Sequence, residues 1–304
     1  MSASSQIADF IDPAHVTQVE NLELLSTRVI DGILAGRHQS KLKGGSAEFA
    51  EHRAYSPGDE IRQIDWKVFG KSDRYYVKQF IEQTCLQTLI VLDASGSMNF
   101  GMSTPPKFAH ARALAVCLAR LVLRQSDAAG LAVVDNDLRS YIPPRSTPNH
   151  FQALLHDLKT AAPQGETALP HNLQKVLLRM KRRGLIVLLS DCFGDLEHLK
   201  TVFRMIRSRG HDIILFHIMA PEELTFEFSG WSRFRCLEQM GFQLDLDPAF
   251  VRKQYLENVD RFLTDLRQAC GELGCDYVPM PTDHDLGEAL THYLKRRAAR
   301  VKVQ

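Results

Sequence analysis

The sequence predicts an α/β chain built on a doubly wound, mainly parallel sheet, preceded by a smaller module of one helix and several strands. Three observations carry this prediction. Continuous apolar runs rich in branched residues at 89–92, 185–189 and 213–219 have the pattern of strands buried on both faces, which parallel sheets covered by helices require. Segments with apolar residues at helical spacing lie between them, at lengths that suit crossover connections. Two of the runs end abruptly in polar loops, Asp93-Ala94-Ser95-Gly96-Ser97 and Ser190-Asp191, at the strand ends where open α/β sheets bind ligands.

After the first run, Phe108, Ala111, Leu114, Ala115, Leu118, Leu121 and Val122 form the apolar stripe of an amphipathic helix. Residues 130–134 predict a short strand, with Tyr141-Ile142 as a hairpin partner broken by Pro143-Pro144, which places that partner at a sheet edge. Phe151, Leu154, Leu155 and Leu158 mark one further helix, and Leu169, Leu173, Val176, Leu177 and Met180 another. Following the strand at 185–189, a helix carrying Leu196, Leu199, Val202, Phe203 and Ile206 stops at Gly210, a residue suited to a helix C-terminus. Strand 213–219 comes next. The span 221–248, with Phe226, Phe228, Trp231 and Phe234, reads as an irregular apolar loop or short strands. A long helix through Val251, Tyr255, Val259, Phe262, Leu263 and Leu266, a short strand at Tyr277-Val278-Pro279 and a helix with Leu286, Leu290, Tyr293 and Leu294 complete the chain.

The first 84 residues lack this rhythm, which sets a boundary between 1–84 and 85–304. Val19, Leu22, Leu25, Val29 and Ile33 make a helix that Gly36 ends. Beyond Gly44-Gly45, the segment with Phe49, Arg53, Tyr55, Ile61, Ile64, Trp66 and Tyr76–Ile81 reads as strands joined by turns, packed beside the main sheet. Pro57-Gly58 fits the centre of a type II turn.

Composition excludes several classes. Lys plus Arg number 37 against 36 acidic residues, so no overall field draws the chain to nucleic acid or anionic lipid; the basic runs at Lys181-Arg182-Arg183 and Lys295-Arg296-Arg297 read as solvated helix ends. No apolar stretch is long enough to span a bilayer, and the first residues lack a secretory pattern. A cytoplasmic protein is therefore expected. The six cysteines, Cys85, Cys117, Cys192, Cys236, Cys270 and Cys275, form no Cys-x-x-Cys pair and read as reduced, mostly buried thiols.

The loop after the first buried strand reads as a metal site. Asp93, Ser95 and Ser97 offer one carboxylate and two hydroxyls, hard oxygen donors that suit Mg2+, with Mn2+ or Ca2+ as alternatives. Thr167, ahead of a helix, and Asp191, at the end of another buried strand, lie where further donors are needed. Asp135 and Asp137 read instead as a hairpin turn.

On these residues the chain resembles the von Willebrand factor A fold, a Rossmann-like sheet whose metal-ion-dependent adhesion site is assembled from three such loops. Asp93, Ser95 and Ser97 match its first loop, Thr167 its threonine loop and Asp191 its aspartate loop. Thr160 and Asp195 are the neighbouring alternatives. The resemblance implies that a partner's Asp or Glu completes the shell of the ion.

The segment 44–82 carries a narrower resemblance. Gly45, Phe49, Arg53, Tyr55, Pro57-Gly58-Asp59, Arg62, Ile64-Asp65-Trp66-Lys67, Val77 and Phe80, in this order before the metal loop, resemble the DUF58 family. That resemblance implies a MoxR-type AAA+ ATPase as partner and a non-enzymatic role as adaptor or co-chaperone in a bacterial cell, acting on a client protein. Arg53, Tyr55, Asp59, Arg62, Asp65 and Trp66 are the candidate partner contacts. Read from the residues themselves, the charged four form an ion-pair and turn network, and Tyr55 and Trp66 are core aromatics.

A Mg2+-dependent phosphohydrolase on a similar sheet is the rival expectation. It lacks a second acid, because Ser95 stands where Asp-x-Asp-x-Thr phosphatases carry their general acid. No phosphate-binding Gly-x-x-x-x-Gly-Lys-Ser/Thr loop is present. Nuclease chemistry from Glu51, Asp59 and Asp65 lacks any basic footprint.

Overall fold

The structure, a computed structural model, describes residues 48–56, 66–72, 74–81, 86–239 and 241–301. The chain divides into two compact units, one at Lys41–Leu86 and one containing Gln87–Gln304.

In the smaller unit, strands β1 (Glu48–Ala54) and β2 (Tyr76–Ile81) pair antiparallel. Arg53 stands opposite Val77, and the register shifts between Phe49 and Glu51. Between the strands lies helix α1 (Trp66–Ser72), where the sequence pattern suggested a strand. The local signal for the helix is the pair Trp66 and Phe69, one turn apart, whose rings meet edge-on at 6.1 Å. Phe69 also stacks on Tyr75 at 4.5 Å. Trp66 remains 58 % exposed, so it is a surface aromatic of this unit and not the core residue its type suggested. The helix expected from Val19 to Ile33 and the Pro57-Gly58 turn lie outside the described residues.

The larger unit is a six-stranded sheet of order β10-β7-β6-β3-β4-β5. Its strands are β3 (Gln87–Asp93), β4 (Ala128–Val134), β5 (Leu138–Arg145), β6 (Gly184–Ser190), β7 (Asp212–Met219) and β10 (Asp276–Pro281). All pair parallel except β5, which runs antiparallel along one edge. Every residue of β4 and β6 is buried, which explains their unbroken apolar sequences.

Alternate residues of β3 supply two cores. Ile90 and Leu92 pack with α2 (Lys107–Arg124), α3 (His150–Thr160) and α8 (Leu286–Val301) on one face. Leu89 and Val91 pack with α4 (Leu169–Arg179), α5 (Leu196–Ser208) and α7 (Pro248–Glu272) on the other. Met180, expected within a helix, is the residue that caps α4.

Strand β5 continues through Pro143 and Pro144 to Arg145, further than its prolines suggested. An edge position tolerates them, since an edge strand need not donate on its open side. The approach of β5 to β4 is close. A Cβ on Gly130 would lie 2.7 Å from both the Ile142 carbonyl oxygen and the Pro144 nitrogen. The opposite edge strand, β10, also contains two prolines, Pro279 and Pro281.

The span 221–248 is better ordered than its composition indicated. It forms a short helix α6 (Pro221–Thr225) and a hairpin of β8 (Ser232–Arg235) with β9 (Gln243–Leu246). An aromatic cluster anchors its base: Phe226 stacks on Tyr255 at 4.2 Å and on Phe234 at 6.0 Å, and Phe228 meets Phe234 at 5.4 Å.

The strand order places a switch point between β3 and β6. From β3 the chain winds outward to β4 and β5, then returns to β6 and winds the other way to β7 and β10. Asp93 ends β3, and Asp191 follows the last residue of β6, so both carboxylates stand at the crevice between oppositely wound halves.

Candidate metal site

Three loops meet at this crevice. The first turns through a single 3-10 turn, Gly96–Asn99, and is bound to the second by two backbone hydrogen bonds. Gly96 N–H donates to the Gly165 carbonyl at 2.8 Å, and Gln164 N–H to the Ala94 carbonyl at 2.9 Å. The third loop reaches the first through Ser190, whose hydroxyl donates to Asp93 Oδ2 at 2.6 Å. Asp93 Oδ1 accepts the Ser95 backbone N–H at 3.0 Å. The Ser95 side chain also bonds to Asp93, and a carboxylate, with about four lone-pair sites, still retains capacity for a cation.

Ser95 and Ser97 hold their hydroxyls 3.2 Å apart. Ser95 stands at the N-cap of the 3-10 turn, but its side chain makes no capping bond, and Ala168 rather than Thr167 occupies the cap position of α4. Thr167 Oγ1 is buried with no hydrogen-bond partner in the protein. A buried hydroxyl without a partner is costly, so this atom is the donor most plainly awaiting a ligand.

The neighbouring alternatives have other work. Thr160 Oγ1 donates within α3 to the Asp157 carbonyl at 3.0 Å, and Asp195 caps α5 by accepting His198 N–H at 3.0 Å. Asp135 and Asp137 make a turn between β4 and β5, with Asp137 N–H donating to Asp135 Oδ1 at 3.0 Å. Asp135 pairs with Arg139, and Asp137 with Lys175.

Asp191 follows directly on β6 and is next to Cys192, which takes the left-handed conformation at φ 54°. Such a conformation in a buried non-glycine residue is strained and needs support from its surroundings. Here the Cys192 N–H donates to Ser190 Oγ at 2.8 Å, and Phe193 N–H to Asp191 Oδ1 at 3.2 Å. The Asp191 carbonyl accepts from His217 Nε2 at 2.8 Å. A carbonyl only accepts, so Nε2 carries the proton and Nδ1 accepts from the Tyr277 hydroxyl at 2.9 Å. Burial pushes His217 down to about 4, which keeps this ring neutral.

Sequence reasoning missed Lys107. It is fully buried, with Nζ 2.7 Å from Asp191 Oδ2 and 2.6 Å from Glu223 Oε1, and 4.9 Å from the Phe193 ring centre. Burial alone would lower its pKa, but the two carboxylates outweigh burial and hold the ammonium charged. A cation in the first turn of a helix opposes the helix dipole; that misplacement was the available sequence signal.

Burial first, and the Asp191 charge second, push Asp93 up to about 7. Lys107 is paired with Asp191 and Glu223, whereas Asp93 meets the Asp191 charge without a cation of its own, so a divalent cation would relieve the repulsion between the two aspartates. Among the described residues no cluster of three or more His, Cys, Asp or Glu has metal-holding geometry. A cation here would rest on two carboxylates and three hydroxyls, with waters, a hard-oxygen set suited to Mg2+. The residues fit such an ion.

One expectation is corrected. The resemblance implied a shell that a partner's Asp or Glu can reach, yet Asp93, Ser95 and Asp191 are buried to 1 %, 0 % and 1 % exposure. The turn between β8 and β9 lies over them. A Cβ on Gly96 would stand 2.0 Å from the Leu237 carbonyl oxygen, so only glycine allows this cover.

Of the candidate partner contacts, Arg53 lies in β1. Tyr55 is half-buried, edge-on to Tyr75 at 6.3 Å, and Trp66 is exposed. Asp59, Arg62 and Asp65 lie outside the described residues. Among the described cysteines, Cys117, Cys192, Cys270 and Cys275 are buried and free, and Cys236 is exposed.

A parallel sheet wound both ways from β3, with an antiparallel edge strand and helices on both faces, is a von Willebrand factor A-like fold. The pattern of a family described as protein of unknown function DUF58 matches residues 51–262. The chain belongs to the DUF58 family.

It is 25 % identical over 282 residues to the uncharacterized protein Mb1516 of Mycobacterium bovis, covering 91 % of this chain and 88 % of that one. Similar solved structures include the conserved hypothetical protein BatB from Bacteroides thetaiotaomicron, at TM-score 0.48, 16 % identity and 70 % and 99 % of the two chains. An aerotolerance-related membrane protein from Bacteroides fragilis gives TM-score 0.48 and 15 % identity over 69 % and 97 %. The VWA domain of SpRpn10 gives TM-score 0.42 and 14 % identity over 68 % and 94 %.

The expectation of a cytoplasmic protein is withdrawn, because similar structures include a protein described as a membrane protein. That expectation rested on the lack of an apolar segment, and such a lack does not place a protein. Among the described residues no helix is long and apolar enough to cross a membrane.

Proposed function

We propose that this protein is a non-enzymatic adaptor that binds protein partners through a divalent cation, Mg2+ foremost, held by Asp93, Ser95, Ser97, Thr167 and Asp191. The observation that carries the reading is the unpartnered, buried Thr167 Oγ1 beside two buried carboxylates whose charges repel. Both features lose their cost when a cation binds. An ion held largely by neutral hydroxyls and water keeps strong Lewis acidity, so a carboxylate from a partner binds it well. Membership of DUF58 supports a MoxR-type AAA+ ATPase as that partner, working on a client protein.

Calorimetric titration tests the metal directly. Wild-type protein binds Mg2+, and Ser97→Ala weakens the affinity on the order of tenfold or more. At saturating Mg2+ the wild-type melting temperature rises, because the ion binds only the folded state. Identical titrations of wild type and variant would refute the site. Association with a MoxR-type ATPase from the same genome, measured with and without a chelator, tests the partner.

A further inference from the structure

The cover over the metal loops carries a carboxylate of its own. Glu238, at the tip of the β8–β9 hairpin, faces the Ser97 hydroxyl, the Thr167 backbone N–H and the Asp191 carboxylate. These belong to three of the five proposed ligand residues. Its Oε1 is buried with no hydrogen-bond partner, an orphan matching the Thr167 hydroxyl. Two unpartnered buried oxygens at one place, one from the loops and one from their cover, are what a shared cation would satisfy.

The cover is lightly held. Strands β8 and β9 have four residues each, and a two-stranded hairpin alone is marginally stable. Its firm attachment is the aromatic cluster at its base, whereas Leu237, Phe242 and Leu244 remain exposed. The turn is closed by Cys236 N–H donating to the Phe242 carbonyl at 2.9 Å.

We infer that Glu238 is a built-in ligand of the metal site, occupying the coordination position that a partner's Asp or Glu would take. This inference rests on the proposed metal reading. A visiting carboxylate then binds in competition with the hairpin, and partner engagement lifts the β8–β9 tip from Gly96. Docking at this site is thereby restrained by the chain itself.

The test uses Mn2+ as the probe, with affinity read by electron paramagnetic resonance of the free ion and bound water read by proton relaxation. In Glu238→Gln and Glu238→Ala the Mn2+ affinity falls about tenfold. Relaxation per bound ion rises, because water replaces the lost carboxylate oxygen. Added acetate then reverses part of that rise in the variants and leaves wild type unchanged. Glu238→Gln preserves size and shape, so it separates loss of the ligand from loss of the hairpin. If both variants bind Mn2+ as tightly as wild type with the same relaxation, Glu238 is not a ligand and the metal reading survives alone. If wild type binds no Mn2+, the metal reading fails and this inference with it.

Discussion

Replacing Lys107 by methionine lowers the stability of the metal-free protein by about 3–5 kcal/mol, as measured by chemical denaturation. Methionine fills nearly the same volume, so the packing against Phe193 is largely kept and the loss is electrostatic. Among the described residues, the ammonium is the one cation within hydrogen-bond distance of both Asp191 and Glu223. Removing it leaves two carboxylates in a buried setting without their partner. Exposed pairs behave differently: Lys200 with Glu197 contributes at most about 1 kcal/mol. The double variant Lys107→Met, Glu223→Gln recovers part of the loss, since one of the stranded charges is gone. A single-variant change below about 1 kcal/mol would contradict this account of a buried ion pair.

Asp93→Asn separates stability from metal binding. It lowers Mg2+ affinity by roughly a hundredfold or more, because the site loses one of its two charged donors. The metal-free protein is no less stable than wild type. Asp93 is pushed up from its ordinary 3.8 to about 7, so the folded state holds its proton over a range where the unfolded chain has lost it. Between those two values the unfolded state binds fewer protons, and stability falls as pH rises. Wild type without metal therefore loses stability from about pH 4 to pH 7, and the Asn variant shows a smaller loss. Thermal melts across this range, with a chelator present, check the slope. Equal slopes for the two proteins would show that Asp93 is not held against its charge. On the proposed reading, a residue whose charge destabilises the metal-free fold while holding the ion is the usual form of a trade between function and stability.

Much of the larger unit was legible because burial on both faces leaves an unmistakable trace. The runs in β3, β6 and β7 and the stripes of α2, α4 and α5 needed no knowledge of their neighbours. Asp93 was legible for the same reason, as a polar interruption directly after such a run. The misreadings share a different cause. Helix α1 is only seven residues long, too short for a stripe to emerge, and its aromatics resemble strand residues by type. The β8–β9 hairpin fell within the two readings of 221–248, an irregular loop or short strands; its strands have four residues each, so the alternation in Gln243-Leu244-Asp245-Leu246 is too brief to decide between them. Lys107 announced itself only as a charge in the wrong place, and its partners Asp191 and Glu223 lie 84 and 116 residues away. Glu238 gave no local sign at all. Its role depends on a turn folding back across Gly96, and that packing belongs to the tertiary structure.

The two outermost strands, β5 and β10, each contain a pair of prolines. Proline lacks an N–H and fixes its own φ, so an incoming extended segment would find both flanks chemically blunted. Growth of the sheet by addition of foreign strands, whether from another copy or from another protein, is disfavoured on either side. Traffic with other molecules is thereby directed away from the flanks and toward the loops at the strand tips. For the proposed adaptor role this is an advantage, because the protein's own backbone offers another chain little to polymerise upon.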